Sequence, residues 1–381
     1  MLKVKKITIR KSDFSLLLSV MILTAFGLFM IYDASSYVAF RDFGDKYRYI
    51  KDQMMWVVIG FSALTIVSFI DYHKYYNLAL PILLTAIGLL FLVFVPGLGI
   101  SALGAKRWIN LGFFVLQPSE VVKLSLVIYL SAWFSTKEKG RFIAFLMLIG
   151  FVIGLVMLQP DMGTAVVILG LSVILYFLSG GSVLHILALA PIVGIGGLGL
   201  ILLEPYRAAR LATFLNPHQD IATSSYHLRQ ILIALGSGGL FGVGIGNSLQ
   251  KYAYLPEATT DSIFAIIAEE VGFFGVTIFI LVMLFVIYRG FYISVRAKDT
   301  FGKLLAGGLT SYLALQAAVN LGAQTALLPL TGVPLPFISY GGSALTVNLI
   351  SIGILLNISR QSNFAPSVKE GIGFKLSKLK L

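Results

Sequence analysis

The residues able to do chemistry are conspicuous because so little of the chain is polar. Of 381 residues, 12% are charged and 57% hydrophobic, and the charged ones gather in short blocks. The first block, Gly104-Ala105-Lys106-Arg107-Trp108-Ile109, leads to Gln117-Pro118-Ser119-Glu120-Val121-Val122-Lys123. A Lys-Arg pair beside an aromatic ring could hold a diphosphate at headgroup level, or could simply anchor the chain at the interface. Pro118 suits the first helical position, and Glu120 and Lys123, three apart, share a helix face where they can pair. A first-turn carboxylate with a snorkelling lysine is the other reading. Gln159-Pro160-Asp161-Met162-Gly163-Thr164 is a tight turn in which Asp161 suits a helix N-cap.

A long polar stretch, about residues 204–261, opens on Glu204-Pro205-Tyr206-Arg207 with Arg210 close behind. An amphipathic segment follows at Ser225–Leu235, then a glycine run from Gly236 to Gly246. The glycines lack the lysine and the βαβ setting of a nucleotide loop, so a surface helix with re-entrant backbone is expected. The stretch ends Gln250-Lys251-Tyr252-Ala253-Tyr254-Leu255-Pro256-Glu257-Ala258-Thr259-Thr260-Asp261-Ser262. Asp261 stands at the mouth of the next apolar run, as a general base or as a first-turn partner of the helix dipole. Glu269 lies about 12 Å deeper and about 80° round the helix at ordinary helical geometry, with Glu270 opposite. The expectation is an aqueous cavity reaching down this helix; buried structural hydrogen bonding is the alternative for both glutamates. Finally, Leu328-Pro329-Leu330-Thr331-Gly332-Val333-Pro334-Leu335-Pro336-Phe337-Ile338-Ser339-Tyr340-Gly341-Gly342-Ser343 is apolar but cannot be continuous helix. Such backbone must be buried in protein or line a cavity, and Pro336, Ser339, Gly341 and Gly342 are its candidate cavity residues. Broken apolar segments also mark transporter sites.

The elements that must position these residues are membrane helices. An apolar run of about 18 residues can span the hydrocarbon layer. Ten are expected: Phe14–Ala34, Gln53–Ile70, Tyr76–Val95, Pro118–Phe134, Phe142–Leu158, Gly163–Ser179, Val183–Leu203, Ser262–Tyr288, Lys303–Leu327 and Gly341–Ile358. The fold class is therefore an all-α polytopic integral membrane protein with about ten transmembrane helices and one large extracytoplasmic loop. Residues 14–360 form a single membrane domain between tails at 1–13 and 361–381. No small-residue cleavage pattern ends the first span, so it is read as an uncleaved helix. Lys and Arg are more numerous on the side of the two tails, which puts both termini in the cytoplasm. The net charge of +12 is scattered between apolar runs, which argues against nucleic acid. With no cysteine there is no disulfide or thiolate chemistry, and four scattered histidines argue against a zinc site.

These blocks, in this order, resemble the SEDS family (shape, elongation, division and sporulation), and most closely its division branch. The resemblance runs from about Phe14 to Arg360. It is carried by GAKRWI, QPSEVVK, QPDMGT, QKYAYLPEATTDSIFA (Gln250–Ala265), AEEVGFFG (Ala268–Gly275) and LLPLTGVPLPFISYGGS (Leu327–Ser343). It implies a protein of the bacterial inner membrane that polymerises lipid II into β-1,4-linked glycan strands, with its active site on the outer face and a place at the division septum. It implies a class B penicillin-binding protein as partner, with other division or elongation proteins. The family's essential loop carboxylate falls on Asp261, its fourth-span charge pair on Glu120 and Lys123, and its QPD aspartate on Asp161. There are departures. Asp52 stands before Gln53 where the family often has Arg, with Lys51 or Arg48 as substitutes. Ser262 stands where Phe is common, and Thr260 where His is.

The implied reaction inverts an α-linked donor, so one base and one stabilised leaving group suffice. Asp261 would take the acceptor hydroxyl's proton. Its place at a helix N-terminus suggests a low pKa and a weak base that acts late. Lys106, Arg107, Lys123, Arg210 and Lys251 are candidates to neutralise the diphosphate, and Glu120, Asp161 and Glu257 complete the candidate substrate-binding set. No cofactor is required; a divalent cation, Mg2+ or Mn2+, could share the diphosphate, with Asp161 as one candidate ligand. A lipid II flippase would use the same broken segment and intramembrane charges, but would not need acids and bases crowded at the outer face. A scaffold that only recruits a penicillin-binding protein would leave Asp261 without a task.

Overall fold

The computed structural model of the chain describes residues 12–102, 105–112, 114–136, 140–202, 205–215 and 224–362. Gly104, Glu204 and the two tails lie outside the described residues, apart from tail residues 12, 13, 361 and 362.

Each expected span is a helix. They are α1 (Phe14–Phe43), α2 (Arg48–Phe69), α3 (His73–Leu92), α4 (Pro118–Ser135), α5 (Phe142–Met157), α6 (Met162–Leu178), α7 (Val183–Leu202), α10 (Ile263–Arg296), α11 (Thr300–Gln324) and α12 (Gly342–Gln361). Six of them, α1, α2, α3, α10, α11 and α12, are long and apolar enough to cross a membrane by themselves. Two boundaries differ clearly from expectation. α1 runs nine residues past Ala34 and stops at Gly44 in a left-handed cap, and α10 continues eight residues past Tyr288. Helical hydrogen bonding carries both beyond the apolar stretch that hydropathy measures.

The core sits where three helices meet. α4 is buried over most of its length, and α11 and α12 are 78% and 83% buried over their most apolar windows, against 22% for α2 and α3. The outer helices turn large apolar side chains outward, among them Ile66, Leu84, Phe151, Leu187 and Ile195. A ring of helices that is apolar on its outer surface and packed within is what lipid requires.

Two features depart from a purely helical picture. A small antiparallel sheet, β1 (Gly99–Ala102), β2 (Ala105–Asn110) and β3 (Val115–Leu116), lies between α3 and α4. Ile100 faces Trp108 and Ile109 faces Leu116 across its ladders. The segment is too short and polar to span, and the sheet satisfies its backbone. The long loop also carries two helices, α8 (Pro205–Leu215) and α9 (Ser224–Ser237), the second matching the expected amphipathic segment.

The two ends of the bundle differ. At one, Asp13 caps α1 through the Leu16 N–H, takes two Arg289 bonds at 2.9 and 2.6 Å, and donates its own N–H to Ser359 Oγ at 3.1 Å. This joins α1, α10 and α12 and puts residues 13 and 359 on one side, as an even number of spans demands. The sheet, the 159–163 turn and the residues around Asp261 occupy the other end.

Candidate active site

Asp261 is held by its backbone. The Thr259 carbonyl accepts the Tyr340 N–H at 2.9 Å, the Thr260 carbonyl accepts the Ser339 hydroxyl at 2.6 Å, and the Asp261 carbonyl accepts Asn320 Nδ2 at 3.0 Å. The broken segment therefore does its work through its polar backbone and Ser339, which also accepts the Leu335 N–H at 2.8 Å. Gly341 donates its N–H to Gln53 at 3.3 Å, and Gly342 lies so close to the Trp56 ring that no larger residue fits. Pro336 lies within this segment, between the buried Leu335 and Phe337, the latter at φ 65°.

Sequence reading missed the polar ladder that aligns these parts. Gln316, Asn320 and Gln324 lie on one face of α11. They bond, in turn, the Pro334 carbonyl at 3.0 Å, the Val333 carbonyl at 2.8 Å, and the Ala265 N–H at 2.9 Å. Gln324 also donates to Asn320 at 2.7 Å. The signal was there: three amides at i, i+4 and i+8 of an apolar helix.

The carboxylate itself makes no hydrogen bond to a described residue, although the side chain packs beside Gly332, where an added Cβ would meet Oδ2 at 3.2 Å. Burial pushes its pKa up to about 7, Glu257 and Asp161 push the same way, and Arg210 and Arg107 oppose them. This corrects the expected low value: loss of water outweighs the helix terminus. Glu257 is exposed, at φ 50°, and bonds the Thr260 hydroxyl at 2.7 Å.

Two guanidinium groups border the site. Arg107, on β2, donates to the carbonyls of Gln159 at 3.2 Å and of Pro160. Arg210, on α8, donates to the Leu330 carbonyl at 2.9 Å and lines a small groove with Thr213, Phe214, Leu228 and Leu328. Asp161 caps α6, accepting the Thr164 N–H at 3.1 Å and hydroxyl at 2.9 Å. Both oxygens are thus engaged, and among the described residues no three His, Asp or Glu side chains gather as a metal site. The described side chains thus do not assemble a protein-held cation site. Lys106 is exposed on β2.

Other candidates lie elsewhere. Lys251 is 5% exposed, with its ammonium on Asp33 at 2.9 and 3.0 Å and on Glu270 at 3.0 Å. Burial works against its charge, but these two partners outweigh it and raise its pKa. It fastens the loop to α1 and α10, its ammonium engaged by two carboxylates. Glu120 and Lys123 pair at 2.7 Å, each 1% exposed, in the α4–α11–α12 core, with the Tyr312 hydroxyl 3.3 Å from Glu120. Neither side chain reaches the surface. Glu269 and Glu270 are 2% and 1% exposed and face loop backbone in place of the expected cavity. Glu269 bonds Ser248 Oγ and the Leu249 N–H, and Glu270 the Ser248 N–H. Lys51 pairs with Asp45 and Arg48 with Asp52, both exposed, so neither replaces the family's arginine in a buried role.

A polytopic membrane protein with the Asp261 carboxylate, Glu257, Asp161 and the guanidiniums of Arg107 and Arg210 gathered at one end is the class that fold and site define. The chain matches the family model described as a cell cycle protein, FtsW/RodA/SpoVE, over residues 14–364, and it belongs to that family. It is 38% identical over 359 residues to Stage V sporulation protein E of Bacillus subtilis, covering 92% of this chain and 98% of that protein. It is 38% identical over 353 residues to a protein of Geobacter sp. named Probable peptidoglycan glycosyltransferase FtsW, covering 91% and 96%. Among solved structures it resembles a chain from work on the structural coordination of polymerization and crosslinking by a peptidoglycan synthase complex. That match has a TM-score of 0.74 and 26% identity over 93% of this chain and 99% of the other. The rod shape determining protein RodA of Thermus thermophilus matches at 0.69, also 26% identical, over 92% and 98%.

Proposed function

We propose that this chain is a peptidoglycan glycosyltransferase that polymerises lipid II. The observation that carries the reading is Asp261: backbone fixed from two elements, carboxylate without a hydrogen bond among the described residues, pKa near 7, Arg107 and Arg210 beside it. A base titrating near neutrality suits removal of a hydroxyl proton at neutral pH. In the step proposed, the acceptor sugar's 4-hydroxyl oxygen bonds to C1 of the donor as the C1–oxygen bond to the diphosphate breaks. The proton passes to Asp261 and the electron pair leaves with the diphosphate, whose charge Arg107, Arg210 and Lys106 offset. Inversion at C1 follows from attack opposite the leaving group. A cation bound along with lipid II would have to be held mainly by the diphosphate.

The reading puts the protein in the bacterial plasma membrane, both termini cytoplasmic and Asp261 outside, in cell division or shape maintenance. A class B penicillin-binding protein is the proposed partner; the solved neighbour from a complex that polymerises and crosslinks supports this. The test is polymerisation of labelled lipid II by the purified chain, with and without a cognate penicillin-binding protein lacking glycosyltransferase activity. Glycan product from the wild-type chain and not from Asp261→Asn is expected. Lipid II translocation without product would favour transport instead.

A further inference from the structure

Ser262, the residue after Asp261, is the N-cap of α10, yet its side chain caps nothing. An N-cap serine ordinarily accepts a backbone N–H of the first turn. Here its hydroxyl lies 2.7 Å from Nε2 of His227 on α9 instead, and the residue is 1% exposed. The cap has been exchanged for a tie between the loop helix and the Asp261 turn. We propose that His227 is a positioning residue for the transfer reaction, holding Asp261 in register through Ser262. The inference rests on Asp261 as the base. α11 and the broken segment fix the turn by the carbonyls of residues 259–261, and His227 adds a side-chain tie from α9.

The tie also bears on where the loop stands. α9 carries His227, and α8, next to it, carries Arg210, whose charge faces both His227 and Asp261. Moving α9 away from Ser262 would shift Arg210 relative to the carboxylate and admit water to it. Burial, reinforced by Arg210, lowers the His227 pKa to about 4, so the ring is neutral under working conditions and bonds Ser262 without adding charge to the site. The groups that face Asp261 are Glu257 from its own loop, Arg210 from α8, Asp161 from the cap of α6 and Arg107 from β2.

The test uses full-length protein with its cognate penicillin-binding protein and labelled lipid II. His227→Phe keeps the ring shape and loses the bond; Ser262→Ala loses the partner; His227→Gln can restore it. A positioning role predicts that His227→Phe and Ser262→Ala each lower kcat about tenfold or more with KM little changed. The double variant should be no worse than either single one, and His227→Gln should recover most of the rate. The acid limb of the rate profile, set by Asp261, should move to lower pH in His227→Phe as the carboxylate gains water. Equal kcat and an unmoved acid limb in His227→Phe, with Asp261→Asn inactive, would overturn the inference alone. So would a fall in melting temperature with unchanged kcat per folded molecule. A wild-type rate in Asp261→Asn would overturn the reading beneath it.

Discussion

At the scale of single residues, the governing fact is that the same charge means different things depending on what surrounds it. Asp261 is a carboxylate without a hydrogen bond to any described residue, and burial holds its proton to about pH 7. If it must be ionised to act, the rate should climb through about pH 7 and flatten above it; an acid limb near 4 would show a solvated carboxylate. The sign for stability is opposite. A pKa raised above the unfolded value means the native state binds the proton more tightly, so this group's contribution falls as pH rises between the two values. Asp261→Asn should therefore melt at a higher temperature than wild type at pH 8 while losing about 10²–10⁴-fold in polymerisation. Glu120 and Lys123 are the contrasting case. Their charges are spent on each other, 2.7 Å apart and out of reach of water. Removing either alone should cost about 3–5 kcal/mol, whereas Glu120→Leu with Lys123→Met should recover most of the folded yield, measured by monodisperse protein after purification.

At the scale of elements, α10 shows how a long loop is seated on a membrane bundle. The helix breaks at Gly272, φ 66°, into halves of 263–271 and 273–296. The break frees backbone groups that the glycine loop then satisfies. The Glu269 and Glu270 carbonyls take the Val243 and Gly244 N–H groups at 2.9 and 3.1 Å, and Phe273 and Phe274 donate to Gly239 and Leu240 at 2.9 and 3.1 Å. Such an exchange is the condition for irregular backbone at membrane depth. It works only because Gly242, at φ 80°, meets the Glu270 carbonyl with no side chain between. Gly242→Ala combines a clash with an unfavourable backbone and should cost about 1–3 kcal/mol. The measurable result is earlier unfolding of the loop by proteolysis, with polymerisation reduced because α9 and Arg210 travel with it. Unchanged proteolysis would mean the loop is seated by its side-chain ties, Lys251 among them, without this backbone exchange.

At the scale of the whole molecule, the site lies at the end of the bundle opposite residues 13 and 359. Orientation in the membrane then decides which compartment supplies substrate. Gly236, on α9, is exposed with open space about its Cα, and the chain has no native cysteine. Gly236→Cys should react with an impermeant thiol reagent in intact spheroplasts. Labelling only after permeabilisation would put Asp261 in the cytoplasm and end the proposed reaction. Ser225, on the same helix, is a poor position for this measurement because it is 5% exposed.

What the sequence determined by itself follows from properties that are local along the chain. Hydropathy is a sum over a window, so all ten helices were legible, as were the amphipathic α9, the non-helical segment at 328–343 and the block holding Asp261. What only the tertiary structure decided depends on distances between residues far apart in sequence. Lys251 looks like a loop cation until Asp33, 218 positions away, is found on its ammonium. That Glu120 and Lys123 are closed over by α11 and α12, with Tyr312 against the carboxylate, is likewise invisible from their spacing. The low pKa expected for Asp261 followed from its helix end, a local feature, and was reversed by burial, with Glu257 and the distant Asp161 pushing the same way. Position along the chain selects which residues can carry charge; only packing decides whether water, a partner or a substrate meets it.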